Sequence, residues 1–325
     1  MTATFSHAFD WARRHVAEGR LPTAVLGIAN AEGIIALDAF GATEGRRATA
    51  DDHYRLFSVT KPLVGLTAGR AVERGLLSPD TPLSTALPAF GTDRDDIVRL
   101  RHLASHTSGI SEPALDSATP QRDDLLAAGR DFRAGTMSRY STLAFEGIAA
   151  MTEQATGRFW ADDVATWAAP LGADGLTLDE ASDPHVVVGA AAAGLDIDRF
   201  TALQSPGAGL IGRAGDLLAV GAALLRDAGE IVQPATHAMM LRPLTGDIPR
   251  LDPYPADRGQ DWGFTWNLRT RAPGLIDHDT YGHGGWSGAQ FAIHPTAGVA
   301  YILLTNLAQP DVDTDLLDNA VVAGL

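Results

Sequence analysis

One lysine stands in this sequence, Lys61, against 24 arginines. On a folded surface the two cations replace one another in ion pairing and solubility, but only an amine can give up its proton near neutrality once it is buried. The composition therefore singles out Lys61 as a position that needs an amine. Three residues before it stands Ser58, in the run His53-Tyr54-Arg55-Leu56-Phe57-Ser58-Val59-Thr60-Lys61, which ends an extended segment and opens an apolar-periodic stretch over 62–77. That stretch reads as a helix, with Pro62 in the first turn, where its missing N–H removes no helical hydrogen bond. Residues three apart share a helical face, so the hydroxyl of Ser58 and the amine of Lys61 can meet. The chemistry this allows is nucleophilic catalysis: a serine activated by a neutral lysine base, at a helix start whose free amides can stabilise an oxyanion.

Ser-x-x-Lys alone is common in helices, but here its companions follow in order. They are His102-Leu103-Ala104-Ser105-His106-Thr107-Ser108-Gly109-Ile110, Arg139-Tyr140-Ser141-Thr142, and Gly282-His283-Gly284-Gly285-Trp286-Ser287-Gly288. With Gly75-Leu76-Leu77-Ser78-Pro79-Asp80-Thr81-Pro82-Leu83 and Gly207-Ala208-Gly209-Leu210-Ile211 added, the chain resembles the penicillin-recognising serine hydrolases along nearly its whole length. The branch it resembles holds the class C β-lactamases, the DD-peptidases and the family VIII esterases. The resemblance implies that Ser58 is the acylated nucleophile and Lys61 its proton acceptor. It makes Tyr140 the tyrosine of a Tyr-x-Asn element that relays the proton to the leaving group. It matches His283-Gly284-Gly285 to a Lys-Thr-Gly strand edge, and it gives the oxyanion hole to the amides of Ser58 and Trp286. Thr142, Gly284, Gly285 and Trp286 are the implied substrate contacts.

Two departures carry information about substrate. Thr142 replaces the asparagine that would grip an acylamino carbonyl, and His283 replaces a lysine that would grip a carboxylate. A histidine carries at most partial charge at neutral pH, so the grip on an anion weakens. What remains is the acylation machinery, which favours an esterase or acyltransferase working on small uncharged esters or amides. A D-amino-acid peptidase or β-lactamase of the same fold is the first alternative, and a non-catalytic ligand-binding member of the fold is the second. Trp262, Phe264, Trp266, Tyr281 and Trp286 are candidates to line an apolar acyl pocket, with core packing the competing role for all except Trp286.

Other constellations are weaker. His102 and His106 have the spacing of helical zinc ligands but lack the glutamate of H-E-x-x-H, so no metal and no cofactor is expected. Gly285-Trp286-Ser287-Gly288-Ala289 approaches a G-x-S-x-G elbow, yet its glycine-rich oxyanion element overlaps the serine instead of preceding it by a strand and a helix, and that reading fails on order. The acid runs at Asp93, Asp95 and Asp96 and from Asp311 to Asp318 read as solvated loop and terminal-helix faces.

The elements that must position these residues follow from periodicity. A helix is expected over 1–20, strands over 24–28, 34–39, 290–293 and 299–305, and helices over 143–156, 159–169, 214–225 and 313–323. The fold class expected is α/β (α+β) of the β-lactamase/transpeptidase-like type: an antiparallel sheet flanked by helices, with a mostly helical lobe inserted. All 325 residues form a single domain in this reading, with an α/β lobe over about 1–75 and 245–325 and a helical lobe over about 76–244. The site belongs in the cleft between the lobes. Forty acidic against 25 basic residues, a net charge of -15, argues against nucleic acid and anionic membrane as partners. Without cysteine there is no disulfide and no thiolate chemistry. The N-terminus lacks an apolar leader and no segment reaches membrane-spanning length, so a cytoplasmic protein acting on a small molecule is expected.

Overall fold

The computed structural model describes residues 4–251 and 259–325. The first third runs α1 (Ser6–Ala17), β1 (Thr23–Asn30), β2 (Gly33–Thr43), β3 (Arg46–Arg47), β4 (Tyr54–Arg55), α2 (Thr60–Glu73) and α3 (Leu100–Ala104). The middle adds α4 (Gln121–Ala127), α5 (Ala144–Thr156), α6 (Trp160–Ala168), α7 (Ile197–Ala202), β5 (Ile211–Gly212), α8 (Ala214–Arg226) and α9 (Pro234–Met240). The chain closes with β6 (Asp261–Trp262), β7 (Asn267–Leu268), β8 (Tyr281–Gly284), β9 (Gln290–His294), β10 (Val299–Leu304) and α10 (Thr314–Val322).

Strand alternation explains the layering. Along β1, Ala24, Leu26 and Ile28 point to one side and Val25 and Ala29 to the other, and all are buried. A strand buried on both faces must be central. Its neighbour β10 behaves the same way, with Tyr301 and Leu303 on the first side and Ile302 and Leu304 on the second. The eight strands run in the order β3-β2-β1-β10-β9-β8-β7-β6, antiparallel at each named pairing, so both chain ends build one sheet. Helices α1 and α10 cover one face, through Trp11, Leu317 and Val321. Helices α2 and α8 cover the other and join it to the helical middle of the chain. This is the expected antiparallel sheet flanked by helices.

Helix α2 is the hub of that second core. Residues 60–69 are all buried, as they must be in a helix that is apolar around its whole circumference. Lys61 is the exception in chemistry, a cation placed where only apolar side chains are expected. The short pair β4–β5 ties the approach to α2 to a distant segment, with Tyr54 opposite Gly212, and the Leu56 amide extends it to Leu210 O at 2.9 Å. Helix α8 falls inside the span expected for the helical lobe, yet Leu217 and Leu218 pack it against the sheet. Its apolar surface is broad enough to need a sheet as partner.

One expectation is corrected here. Asp318 is not on a solvated face: it is 1% exposed, accepts from Tyr301 Oη at 2.8 Å and lies 3.3 Å from the Arg269 guanidinium. Similarly Asp96 is paired with Arg94 in a largely buried bridge that also holds the Ala134 amide. A run of aspartates conceals such members because burial depends on a partner remote in sequence.

Candidate active site

Ser58 lies in a single 3-10 turn, Phe57–Val59, directly before α2. Phe57 has φ of +45° while fully buried. A non-glycine residue held in that region is strained by roughly 1–3 kcal/mol and persists only where the surroundings enforce it. Here the enforcing contacts are ring packing on Phe200 and Trp286, with centroids 5.0 and 5.3 Å away. The bend presents Ser58 to the cleft.

Lys61 is fully buried and its ammonium nitrogen has three oxygen neighbours: Gly207 O at 2.8 Å, Ser58 Oγ at 3.1 Å and Thr142 Oγ1 at 3.2 Å. Burial pulls its pKa down to about 7, against the opposing charge of Glu112. A neutral amine has two N–H bonds and one lone pair. Since Gly207 O can only accept, the lone pair must face one of the two hydroxyls, and Ser58 is one of them. Gly207 has to be glycine for this: a Cβ there would sit 2.7 Å from Thr142 O and from Thr142 Cγ2.

Tyr140 and Thr142 arrive on the segment that starts α5. Tyr140 is half-buried, and the Lys61 nitrogen lies 4.6 Å from its ring centroid. Thr142 is 8% exposed and contacts Lys61 rather than opening into the cleft. Glu112, which sequence reasoning missed, and His106, which it weighed only as a metal ligand and as part of a motif, hold this segment. The Glu112 carboxylate accepts from the Thr142 and Leu143 amides at 2.6 and 3.0 Å and from Ser141 Oγ at 2.6 Å. His106 Nδ1 accepts from the Ser141 amide at 3.1 Å, and its ring lies 4.5 Å from that of Tyr140. The zinc-like spacing of His102 and His106 is broken because α3 ends at Ala104 and His106 has φ of +57°. Among the described residues no cluster of three metal-binding side chains occurs.

The opposite wall is the end of β8. His283 is 2% exposed, and its Nδ1 donates to Gly284 O at 2.7 Å, which leaves Nε2 as the acceptor nitrogen. Burial, reinforced by Lys61, pushes its pKa down to about 3, so the ring is neutral at any working pH. Gly285 must lack a side chain, since a Cβ would stand 2.5 Å from Leu56 O. That close approach brings the Trp286 amide to the Ser58 turn. The amides of Ser58 and Trp286 make no hydrogen bond among the described residues, as donors kept for an oxyanion require. A cavity of 380 Å³ is lined by Ser58, Tyr140, His283, Gly284, Gly285 and Trp286 together. Of the aromatic candidates, Phe264 and Trp266 are core residues, and Trp262 is buried against Tyr140 and His283.

Comparison with known proteins agrees with this geometry. The Beta-lactamase family profile matches residues 9–324. The chain belongs to the beta-lactamase family. Esterase EstB of Burkholderia gladioli is 29% identical over 370 residues, covering 95% of this chain and 91% of that protein. The hydrolase EstCE1, described as having promiscuous acyltransferase activity, superposes with a TM-score of 0.78 at 24% identity over 98% of this chain and 97% of its own. A penicillin-binding protein homolog from Caulobacter crescentus superposes with a TM-score of 0.81 at 20% identity, over 99% and 97% of the two chains. The chain shares its fold with both solved structures, and it is a serine hydrolase.

Proposed function

We propose that this chain is a carboxylesterase that works through an acyl-Ser58 intermediate. The observation that carries the proposal is Lys61: the one lysine of the sequence is buried, near-neutral in pKa and 3.1 Å from Ser58 Oγ. Ser58 Oγ attacks the ester carbonyl carbon as its proton passes to the Lys61 amine. The carbonyl oxygen, now anionic, is held by the amides of Ser58 and Trp286. Collapse breaks the bond to the alkoxide, which leaves with a proton returned through Lys61 and Tyr140. Water then attacks the acyl-enzyme by the same route, releasing the acid and restoring Ser58.

The preference for uncharged esters rests on three features. His283 is neutral, Thr142 is engaged with Lys61, and Trp286 on the cavity wall is backed by an apolar cluster that includes Phe57, Phe200, Val187 and Leu195. None of these rewards a carboxylate or an acylamino group. Losing one charge-assisted contact costs roughly 1.5–3 kcal/mol, about tenfold to a hundredfold in affinity. EstB carries the name of an esterase, and small esters or amides are the substrate class in keeping with it.

The test is hydrolysis of p-nitrophenyl butyrate beside a chromogenic cephalosporin, with intact-protein mass spectrometry to detect a butyryl adduct on Ser58. Ester turnover far above cephalosporin turnover is expected. A preference for the cephalosporin would overturn the substrate assignment. Failure of an active-site fluorophosphonate to label the protein would favour a ligand-binding member of the fold.

A further inference from the structure

The cavity that holds Ser58 does not end at β8. It continues over the outer face of the sheet to Gln260, Asn267, Arg269, Gln290 and, on α10, Asp315. The floor between the two ends is bare. Gly282 pairs with Asn267 on β7 and with Ala292 on β9, so the row across three strands at this level is Asn267-Gly282-Ala292. Nothing larger than a methyl group rises from its centre, and a ligand reaching outward from Ser58 has a path.

The far end holds unused hydrogen-bonding capacity. Gln260, Asn267 and Arg269 are each exposed by 9% or less, yet Gln260 Oε1, Asn267 Oδ1 and Arg269 Nε have no hydrogen-bond partner among the described residues. The remaining Arg269 nitrogens are taken by Asp315 at 3.0 Å and Asp318 at 3.3 Å. Buried polar atoms without partners cost about 1–3 kcal/mol each, and three side chains that carry them line the same cavity as Ser58, where a ligand could supply the missing partners. We infer that this outer end is the subsite for the alcohol portion of the ester, and that the alcohol it takes is a polyol.

The chemistry of the lining makes the choice. Two amide oxygens ask for donors and one guanidinium N–H asks for an acceptor, and vicinal hydroxyls supply both. An alkyl alcohol would leave all three dry. A carboxylate would enter beside Asp315 and Asp318, where two carboxylates already outnumber one guanidinium. A site built to hydrogen-bond hydroxyls discriminates sharply against analogues that lack them.

This inference rests on the esterase reading of Ser58, and the two are separated by experiment. In the wild-type protein, p-nitrophenyl butyrate is assayed first, then the kcat/KM for glyceryl monobutyrate, ethyl butyrate and carboxymethyl butyrate. The expectation is at least a tenfold preference for the glyceryl over the ethyl ester, with the carboxymethyl ester poorest. Asn267→Leu and Gln260→Leu should each cut the glyceryl-to-ethyl ratio severalfold, and the double variant should bring it below about threefold. Asn267→Asp, which keeps an acceptor, should retain most of it. A ratio of two substrates is independent of how much protein is correctly folded, so a destabilised variant still reports. Turnover of p-nitrophenyl butyrate without a glyceryl preference overturns the polyol subsite alone. A preference that survives both leucine substitutions, or a preferred carboxymethyl ester, overturns it as well. Absence of turnover on every ester overturns the esterase reading and the subsite with it.

Discussion

The two walls of the cleft are finished to different degrees. On the α2 wall the polar side chains around Lys61 are engaged with one another: Lys61 has three oxygen partners, and Glu112 and His106 tie down the Thr142 segment, which leaves the Ser58 amide and His106 Nε2 as the open groups among these. On the β8 wall the Trp286 amide and His283 Nε2 lack partners among the described residues, and the cavity beyond them holds further unpaired groups. A lysine whose hydrogen-bonding positions are filled in the free protein can act on a proton but has little left with which to recognise a substrate. The unsaturated wall has the reverse capacity. Reaction chemistry and specificity are therefore separable here, which makes them separately breakable.

The largest effect should come from the α2 wall. Ser58→Ala removes the proposed nucleophile and leaves a small residue in the same turn, so turnover and the butyryl adduct should both vanish while the circular dichroism spectrum is kept. Retained turnover would place the nucleophile elsewhere. Lys61→Arg comes next. The charge is preserved, but a guanidinium cannot serve as base, and the loss in kcat should be on the order of a hundredfold or more. Tyr140→Phe should act in the same direction through the leaving-group proton.

Substitutions aimed at recognition should redistribute activity instead of abolishing it. Thr142→Asn with His283→Lys restores the amide and the ammonium of the related β-lactamases, and the cephalosporin-to-ester ratio should rise roughly tenfold. The buried setting of His283 opposes part of this gain, because a lysine there must charge in a site where burial disfavours cations. An unchanged ratio would mean that these two positions do not set the discrimination.

The same division explains what could be read from the sequence. Ser58 and Lys61 are legible because helical spacing alone brings them together, and His283 to Trp286 because a strand end carries them as one contiguous run. The expected strand over 24–28 falls within β1, and that over 299–305 covers β10 and runs one residue past it, since residues buried on both faces leave unbroken apolar runs. The contacts made by Gly207 and Glu112 were not legible. Each acts through one carbonyl or carboxylate whose partner lies 146 or about 30 positions away, and no local pattern marks such a contact. Phe57 was hidden for a different reason, since an aromatic residue gives no sign that its backbone will be forced to positive φ. Asp318 shows the same blindness in reverse: its run of acids reads as surface, while Tyr301 and Arg269 make its position interior.

The smallest effect, and the finest probe of the α2 wall, belongs to Glu112. Its negative charge supports the protonated form of Lys61, while burial opposes that form more strongly, and the balance lies at a pKa of about 7. In the proposed mechanism activity requires the neutral amine, so the rate should rise with pH through a midpoint near 7 and then level off. Glu112→Gln removes the charge but keeps one oxygen, and that oxygen can still accept from the Thr142 and Leu143 amides, which share a single carboxylate oxygen in the native protein. With the charge gone, protonated Lys61 loses support, its pKa falls and the acidic limb of the profile moves to lower pH. About one pH unit below the wild-type midpoint only about a tenth of the amine is neutral, so there the variant should be severalfold faster than wild type. Above pH 8 the amine is already neutral and the two rates should nearly coincide. A pH-independent loss would mean that Glu112 acts on the position of the Thr142 segment alone. A limb displaced to higher pH would contradict the sign of its charge on Lys61.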